Sequence, residues 1–567
     1  MNFILPLYLK MDDKEKKIRV AILCRGYNFD SWEADCIREV LSLPFVEIVL
    51  LIAEPTEAKE SNGIVNKLIH YPYRNFLWRY FKRYRLKISS YKQVSLKNEL
   101  EKISLIYCKT ELKGKYAQYF SGKDLTLIKS HKPDVILRFA YNIIKGEILT
   151  LAKHGVWSFH HADEQVIRGG PAGFWELSNR MAVTGAILQR LTEKLDAGIV
   201  LRKGFFPTIK HSYKANLEQL LSGTASWMKQ ALIDVVNDST DSNSPTTSES
   251  SLFTFPTNLQ MFRVWRITKI EKLKFHWQQL FRPEKWNIGF VEKKVSDIFK
   301  DELLQNIEWL PEPKRNEYYA DPFGWEENGN LKIVFEHYKY KIQKGVLAIS
   351  NSKGEMSTLL EAKVHLSYPF VLDRTDSVNN NRVILPESNQ SKTIFCFDSA
   401  NPKIGKVLVE NIPAIDATPV FYNNRWWIFC THEGNFNNTN LYIYHALEFE
   451  GPWHPHGNNP VKCDVRSSRP GGTPFLLNNK LYRPAQDCSS SYGSAVIINE
   501  VIELDENTFK EQATKRIVPH KSWRYNKGLH TLSIAGRFII IDAKRYSFNF
   551  NNFITVLRKK QKRIFNK

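Results

Sequence analysis

The sequence predicts two folded units of different class: an α/β domain built on a parallel, helix-covered sheet, then an all-β five-bladed propeller. Three observations carry this. The first part of the chain alternates continuous apolar strands with helical stretches. A polar tract, NDSTDSNSPTTSESS (237–251), then interrupts all apolar periodicity. Beyond it, similar short segments recur: ADPFGW (320–325), SYPFVL (367–372), ATPVFY (417–422) and GTPFLL (472–477), with prolines 47 to 55 residues apart. Several short strands per period of that length are the mark of propeller blades. A fifth, weaker copy is LHTLSI (529–534), so five blades are expected. The competing reading is chance recurrence in a β-sandwich.

Taken in order, residues 1–16 form an N-terminal extension with a short apolar run, no basic residue before it and no small-residue cleavage site. The α/β domain is expected over 17–236. Its strands are IRVAILCRG (18–26), VEIVLLIAEP (46–55) and DVILRFA (134–140), with VWSFHH (156–161) a further one. Residues 184–207 read as two strands around a polar turn, and 216–236 as one closing helix. The polar tract and an amphipathic connector, NLQMFRVWRITKIEKLKFHWQQLF, occupy 237–285. The propeller spans 286–550, and 551–567 is a basic tail.

At 567 residues the chain is too long for one core. Its net charge of +21 favours polyanions, anionic membrane surfaces or phosphorylated substrates. The stretch RNFLWRYFKRYRLK (74–87) concentrates six basic and five aromatic residues. It reads either as a solvated helix face or as a peripheral contact with an anionic membrane. No nucleic-acid module is recognisable, so no nucleic-acid partner is expected. Seven scattered cysteines without CxxC or metal-like spacing point to a reducing compartment and to no metal site. The expected location is the cytoplasm, at most at the inner face of a membrane.

The chemistry centres on VWSFHHADEQVIRGG (156–170). Residues two apart on a strand share a face, so Ser158 and His160 point one way while Phe159 and His161 point the other. His160 ends a strand of an open α/β sheet, where such sheets place their ligands. The glycine-rich RGGPAGFW follows, with Arg168 and Gly169 as substrate-approach residues, and KLDAGIV presents Asp196 in a turn. With these residues, and with FAYNII (139–144), the region from 17 to about 236 resembles the Rossmann-type, folate-dependent formyltransferases. The resemblance implies 10-formyltetrahydrofolate as cofactor, His160 and Asp196 as the catalytic pair, and a folate pocket along Phe139, Tyr141, Asn142, Ile143 and Ile144. It implies attack of an amine on the formyl carbon, with the imidazole stabilising developing charge and moving a proton. Ser158 stands where the family has asparagine. Either another donor compensates, with Asn142 a candidate, or the donor group is not formyl, or the site is not catalytic.

The C-terminal stretches YYADPF, HLSYPF, LPES, DATPVF, RPGGTPF and LYRPAQDCSSSYG resemble the propeller-like N-terminal domain of plant glucosamine inositolphosphorylceramide transferases, and more distantly the arabinanase and levansucrase glycosidases. The second resemblance implies carboxylates on the inner strands. Asp321 and Asp416 match two of them, while Arg469 stands where the third, an acidic residue, belongs; Glu387 and Glu433 are the stand-ins available. Asp321, Tyr368, Glu387, Asp416, Arg469 and His530 form the expected saccharide-binding set. Together these readings predict transfer of a formyl or related acyl group to an amino-sugar nitrogen in glycan biosynthesis, on a glycan that is lipid-linked in one version of the reading. The alternatives are a glycan-processing enzyme acting through the propeller and a non-catalytic glycan-binding scaffold.

Overall fold

The computed structural model describes residues 17–55, 73–114, 116–194, 197–237, 250–373, 382–549 and 553. The chain divides into two compact units at Lys272/Leu273, within a helix. The N-terminal extension (1–16), most of the polar tract (238–249) and most of the basic tail (554–567) lie outside the described residues.

The N-terminal unit is the α/β unit the apolar strands predict. Strands β1 (Ile18–Cys24), β2 (Val46–Ala53), β3 (Leu105–Tyr107), β4 (Val135–Arg138), β5 (Val156–His160), β6 (Val183–Arg190) and β7 (Ile199–Pro207) form one sheet in the order β7-β6-β5-β4-β1-β2-β3. The run β5-β4-β1-β2-β3 is parallel, and β6 and β7 add antiparallel to its edge. Val20 to Cys24 are fully buried, which is why β1 reads as an unbroken apolar run. Helix α1 (Ser31–Leu41) begins where the Glu33 carboxylate accepts the Asp30 N–H at 3.0 Å.

The single closing helix expected over 216–236 is instead two helices, α2 (Tyr213–Gly223) and α3 (Trp227–Val236). Thr224 explains the break: its hydroxyl turns back to the carbonyls of Leu220 and Leu221 and also meets His161 Nε2 at 3.1 Å. The connector is one 24-residue helix, α4 (Asn258–Phe281), with only Val264 and Ile267 buried. No described helix is long and apolar enough to cross a membrane.

Among the described residues the C-terminal unit is built on five antiparallel sheets, four of four strands and one of five, matching in number the five repeats. The sheet that begins with β8 (Glu284–Glu292) is completed by the last strands of the unit, Leu532–Ala535 and Phe538–Tyr546, so both ends of the unit share one sheet. The other sheets lead with β9 (Glu317–Glu327), β10 (Ser367–Asp373), β11 (Ala414–Tyr422) and β12 (Phe475–Leu477).

Candidate functional site

The proline repeat has a conformational meaning. In β9, β10 and β11 the ladder slips between Ala320 and Phe323, between Ser367 and Phe370, and between Ile415 and Thr418. Within each slip one residue takes positive φ: Asp321 (+52°), Tyr368 (+43°) and Asp416 (+53°). A β-bulge of this kind re-aims a side chain and frees a backbone N–H. Each freed N–H finds an acceptor. Asp542 takes that of Asp321 at 2.9 Å, Asp321 that of Tyr368 at 3.3 Å, and Glu387 that of Asp416 at 3.2 Å. A left-handed non-glycine residue costs about 1–3 kcal/mol, and these bonds offset it.

The side chains so aimed do not all reach the same place. Asp321, Glu387, Arg469 and His530 line one cavity of about 780 Å³. Tyr368 does not: it is fully buried in the apolar core, its hydroxyl held by Thr418 Oγ1 and by the Gly472 N–H, both at 3.0 Å. Its expected saccharide contact is corrected to a structural strut. Asp416 also lies behind the cavity wall, where its Oδ2 accepts from Arg469 Nε at 2.6 Å and from Gln486 Nε2 at 2.8 Å. Arg469, in the place of an acid, thus keeps its charge paired and lies over the Tyr492 ring at 5.2 Å.

The cavity contains residues the sequence did not single out. Glu336 faces Ala320 in the ladder as Glu387 faces Ser367, so both acids hold the same place in successive repeats. That equivalence was the available signal. Trp286, Tyr318 and Tyr492 add ring faces, and Trp286 stacks on His530 at 4.0 Å. Burial pushes Asp321 up to about 6, against the pull of His530. It drives Glu336 and Glu387 well above the usual carboxylate range. Burial opposes charge on His530, but Asp542, 2.6 Å from Nδ1, holds the imidazolium above its ordinary value.

Asp321, His530 and Asp542 are spaced closely enough to hold a metal ion. Asp542, however, already accepts the backbone N–H groups of Asp321, His530 and Thr531, and its contact with the imidazole favours the protonated ring. That set is closed by its own hydrogen bonds. Glu433, a sequence stand-in for the missing acid, does not line the cavity.

The second site lies at the carboxyl end of β5. Ser158, Asn142 and His160 share a crevice of about 170 Å³ with Arg138, Gln189 and Lys194. Ile143 and Ile144 border it, whereas Ile144 also belongs to the sheet's core. His160 Nε2 lies 3.1 Å from the Ile167 carbonyl, so Nε2 carries the proton and Nδ1 is the basic nitrogen of the neutral ring. His161 faces the other way, as alternation predicts. It stacks on Phe159 at 5.4 Å, and burial, followed by the charge of His160, lowers it to about 3.

Several expected roles move. Tyr141 donates its hydroxyl to the Cys108 carbonyl at 3.2 Å and packs on Phe120, and Phe139 packs edge-on to Trp32. Neither ring borders the crevice. Arg168 and Gly169 pair with Leu252 and Phe253, and a Cβ on Gly169 would stand 2.2 Å from the Phe253 carbonyl. The close backbone approach that this glycine permits is made by the chain's own strand, which corrects its expected substrate role. The acids of HHADE pair with Lys203, at 2.7 Å for Asp163 and 3.0 Å for Glu164, rather than with an imidazole. Asp196 lies outside the described residues. Sequence reading passed over Arg138, whose Nη1 donates to Ser158 Oγ at 2.8 Å.

Residues 312–556 match the family model described as glucosamine inositolphosphorylceramide transferase 1, N-terminal. The protein of that name from Oryza sativa subsp. japonica is 31% identical over 209 residues, which are 34% of this chain and 27% of the relative. The chain thus spans about a quarter of that relative's length. The bifunctional polymyxin resistance protein ArnA of Wigglesworthia glossinidia brevipalpis is 33% identical over 118 residues, 21% of this chain and 16% of the relative. Among solved structures, a sugar N-formyltransferase from Shewanella sp FDAARGOS_354 is 13% identical with a TM-score of 0.27, over 42% of this chain and 76% of that one. The resemblance read from YYADPF, DATPVF and RPGGTPF is therefore to a family whose model matches residues 312–556 of this chain.

Proposed function

We propose that the chain is a sugar-directed transferase that places a formyl group on an amino-sugar nitrogen, the C-terminal cavity holding the saccharide. The cavity carries the reading. A sugar ring presents hydroxyls around its edge and C–H groups on its faces, and a site for it needs acceptors and donors beside flat aromatic surfaces. Asp321, Glu336, Glu387 and Arg469 supply the first, and Trp286, Tyr318 and Tyr492 the second. The match to a family named for a glucosamine-lipid transferase supports a glycan substrate, lipid-linked or free.

The formyl step is assigned to the crevice at His160. Its residues fit the formyl end of 10-formyltetrahydrofolate, because a buried donor, Arg138 Nε, has no acceptor there. The formyl-folate would supply an activated one-carbon carbonyl when bound. His160 Nδ1 is the base that takes a proton from the attacking amine, and the Ile167 carbonyl, 3.1 Å from Nε2, orients the ring. A specific observation favours a second reading, in which the cavity itself processes the glycan: Asp321, Glu336 and Glu387 are all pushed up by burial, as a general acid requires.

The setting we propose is the cytoplasmic face of an anionic membrane. Two segments of the N-terminal unit are tied by Asn258, which accepts from the Leu77 N–H at 2.9 Å and donates to the Tyr73 carbonyl at 2.7 Å. Tyr84, Phe262 and Trp265 are more than half exposed on them, among exposed Lys82, Arg83, Arg266 and Lys269. Cations interspersed with aromatics match anionic headgroups over acyl chains.

Titrating the chain with a nucleotide-linked amino sugar while following tryptophan fluorescence tests the saccharide assignment. Saturable quenching lost in Trp286→Leu and reduced in Asp321→Asn is the expected result. Unchanged binding in both variants would overturn it.

A further inference from the structure

We propose that Arg138 is the donor that binds the oxygen of the transferred carbonyl, and that Ser158 is serine in order to admit it. The inference rests on the formyl-transfer reading and deepens it. Strands β4 and β5 are parallel neighbours with Leu137 opposite Trp157, which sets Arg138 beside Ser158 at the sheet's carboxyl end. Nη1 then reaches Ser158 Oγ at 2.8 Å. A carboxamide at 158 would extend into the space that this guanidinium nitrogen fills. A short residue on one strand and a long cation on the next are thus a matched pair.

What Arg138 does with its remaining hydrogens is informative. A guanidinium has five N–H donors in a fixed plane. One serves Ser158, and Nη2 serves the carbonyls of Tyr141, at 2.9 Å, and Asn142. Those bonds clamp the plane. Nε is buried with no acceptor. Among the described residues no carboxylate lies within ion-pair distance of Arg138, and burial alone brings the group down to about 10. Native structures rarely leave a buried cation both unpaired and with an open donor, because each is costly. The arrangement is explained if an oxygen that gains negative charge occupies the crevice during the reaction. A preorganised donor aimed at such an oxygen is the largest single contribution in many acyl-transfer sites. The crevice, at about 170 Å³, is of a size for a one-carbon centre and its substituents.

The transfer balances on these residues. The amine nitrogen uses its lone pair to bond the formyl carbon, and the carbonyl pair moves onto the oxygen, held by Arg138. His160 Nδ1 takes the proton released by the new N–C bond. The oxygen pair then re-forms the carbonyl as the bond from the formyl carbon to the donor's nitrogen breaks, and that nitrogen leaves with the proton His160 had taken.

Binding of 10-formyl-5,8-dideazafolate, with no amine acceptor present so that no transfer occurs, is compared with that of 5,8-dideazafolate by calorimetry on the full chain. A hydrogen bond from a charged donor to the formyl oxygen predicts that the wild type prefers the formylated analogue by about 10- to 100-fold. Arg138→Gln should bring that ratio to within about threefold while leaving affinity for 5,8-dideazafolate unchanged. The Arg138→Ser/Ser158→Asn double variant, which exchanges guanidinium for a neutral carboxamide donor, should bring the ratio back to about fivefold to tenfold, and carries the test should Arg138→Gln fail to fold. An unchanged ratio in Arg138→Gln, an equal loss of both analogues, or no recovery in the double variant would overturn the assignment of Arg138. Failure of the wild type to bind either analogue would instead overturn the formyl-transfer reading, and the assignment with it.

Discussion

Replacing Arg469 by methionine should unsettle the C-terminal unit out of proportion to the size of the change. The Arg469 and Asp416 side chains are 11% and 2% exposed and meet at 2.6 Å. Methionine preserves much of the volume but leaves Asp416 as a buried carboxylate whose side-chain partner is Gln486. Removing one member of a buried pair costs about 3–5 kcal/mol, mainly because the survivor stays charged and desolvated. For a unit of this size that corresponds to a fall of about 5–15 °C in its melting transition. Arg469→Met/Asp416→Asn removes both charges and should recover half or more of the loss. Scanning calorimetry on the wild type, both single variants and the double variant gives the cycle directly. A loss below about 1 kcal/mol for Arg469→Met, or strict additivity in the cycle, would refute the view that this pair is a mutually dependent wall of the cavity.

The buried carboxyl of Glu176 accepts no hydrogen bond from a neighbouring side chain at either oxygen, and burial pushes it up to about 8. Its folded form therefore holds a proton more tightly than the unfolded chain does, so stability present at acid pH is lost as pH rises from about 4.5 through 8. Between pH 5 and 8.5 the N-terminal unit should lose about 4 kcal/mol through this one group, and Glu176→Gln should flatten that loss; parallel melting profiles for wild type and variant would contradict it. At the segments proposed to meet the membrane, Lys82→Glu/Arg83→Glu should weaken co-sedimentation with anionic vesicles by at least about tenfold, at roughly 1 kcal/mol per cation lost, without altering binding to zwitterionic vesicles. Equal sedimentation of wild type and variant at low salt would remove the membrane from the account. Trp265→Ser should weaken the same binding in a way that added salt does not mask.

Much of the architecture was legible because it is local. Apolar runs such as IRVAILC mark buried parallel strands, and strand alternation separates Ser158 and His160 from His161. The repeat of prolines found the bulged strands: a proline directly follows the positive-φ residue at Asp321 and Tyr368, and stands three residues beyond it at Asp416. What escaped is what depends on register between strands. Arg138 ends a short apolar strand and looks like an ordinary polar terminus until β4 is set beside β5. Glu336 becomes visible only when its strand is paired with β9 and compared with Glu387. The glycines of RGGPAGFW suggested room for a ligand, but at Gly169 a strand some 80 residues downstream takes that room, and no local pattern announces it. Tyr368 takes the same positive-φ bulge position as Asp321 and Asp416, yet its bulk turns the bulge into core packing.

The proposed function requires that His160, at the end of β5, perform a one-carbon transfer to an amino sugar. Mass spectrometry of nucleotide-linked and lipid-linked amino sugars from cells carrying either the intact chain or His160→Ala tests it most directly. N-formylated amino sugar present with the first and absent with the second is the result the account predicts. The same set of sugars in both, with no formylated species that depends on His160, would contradict it.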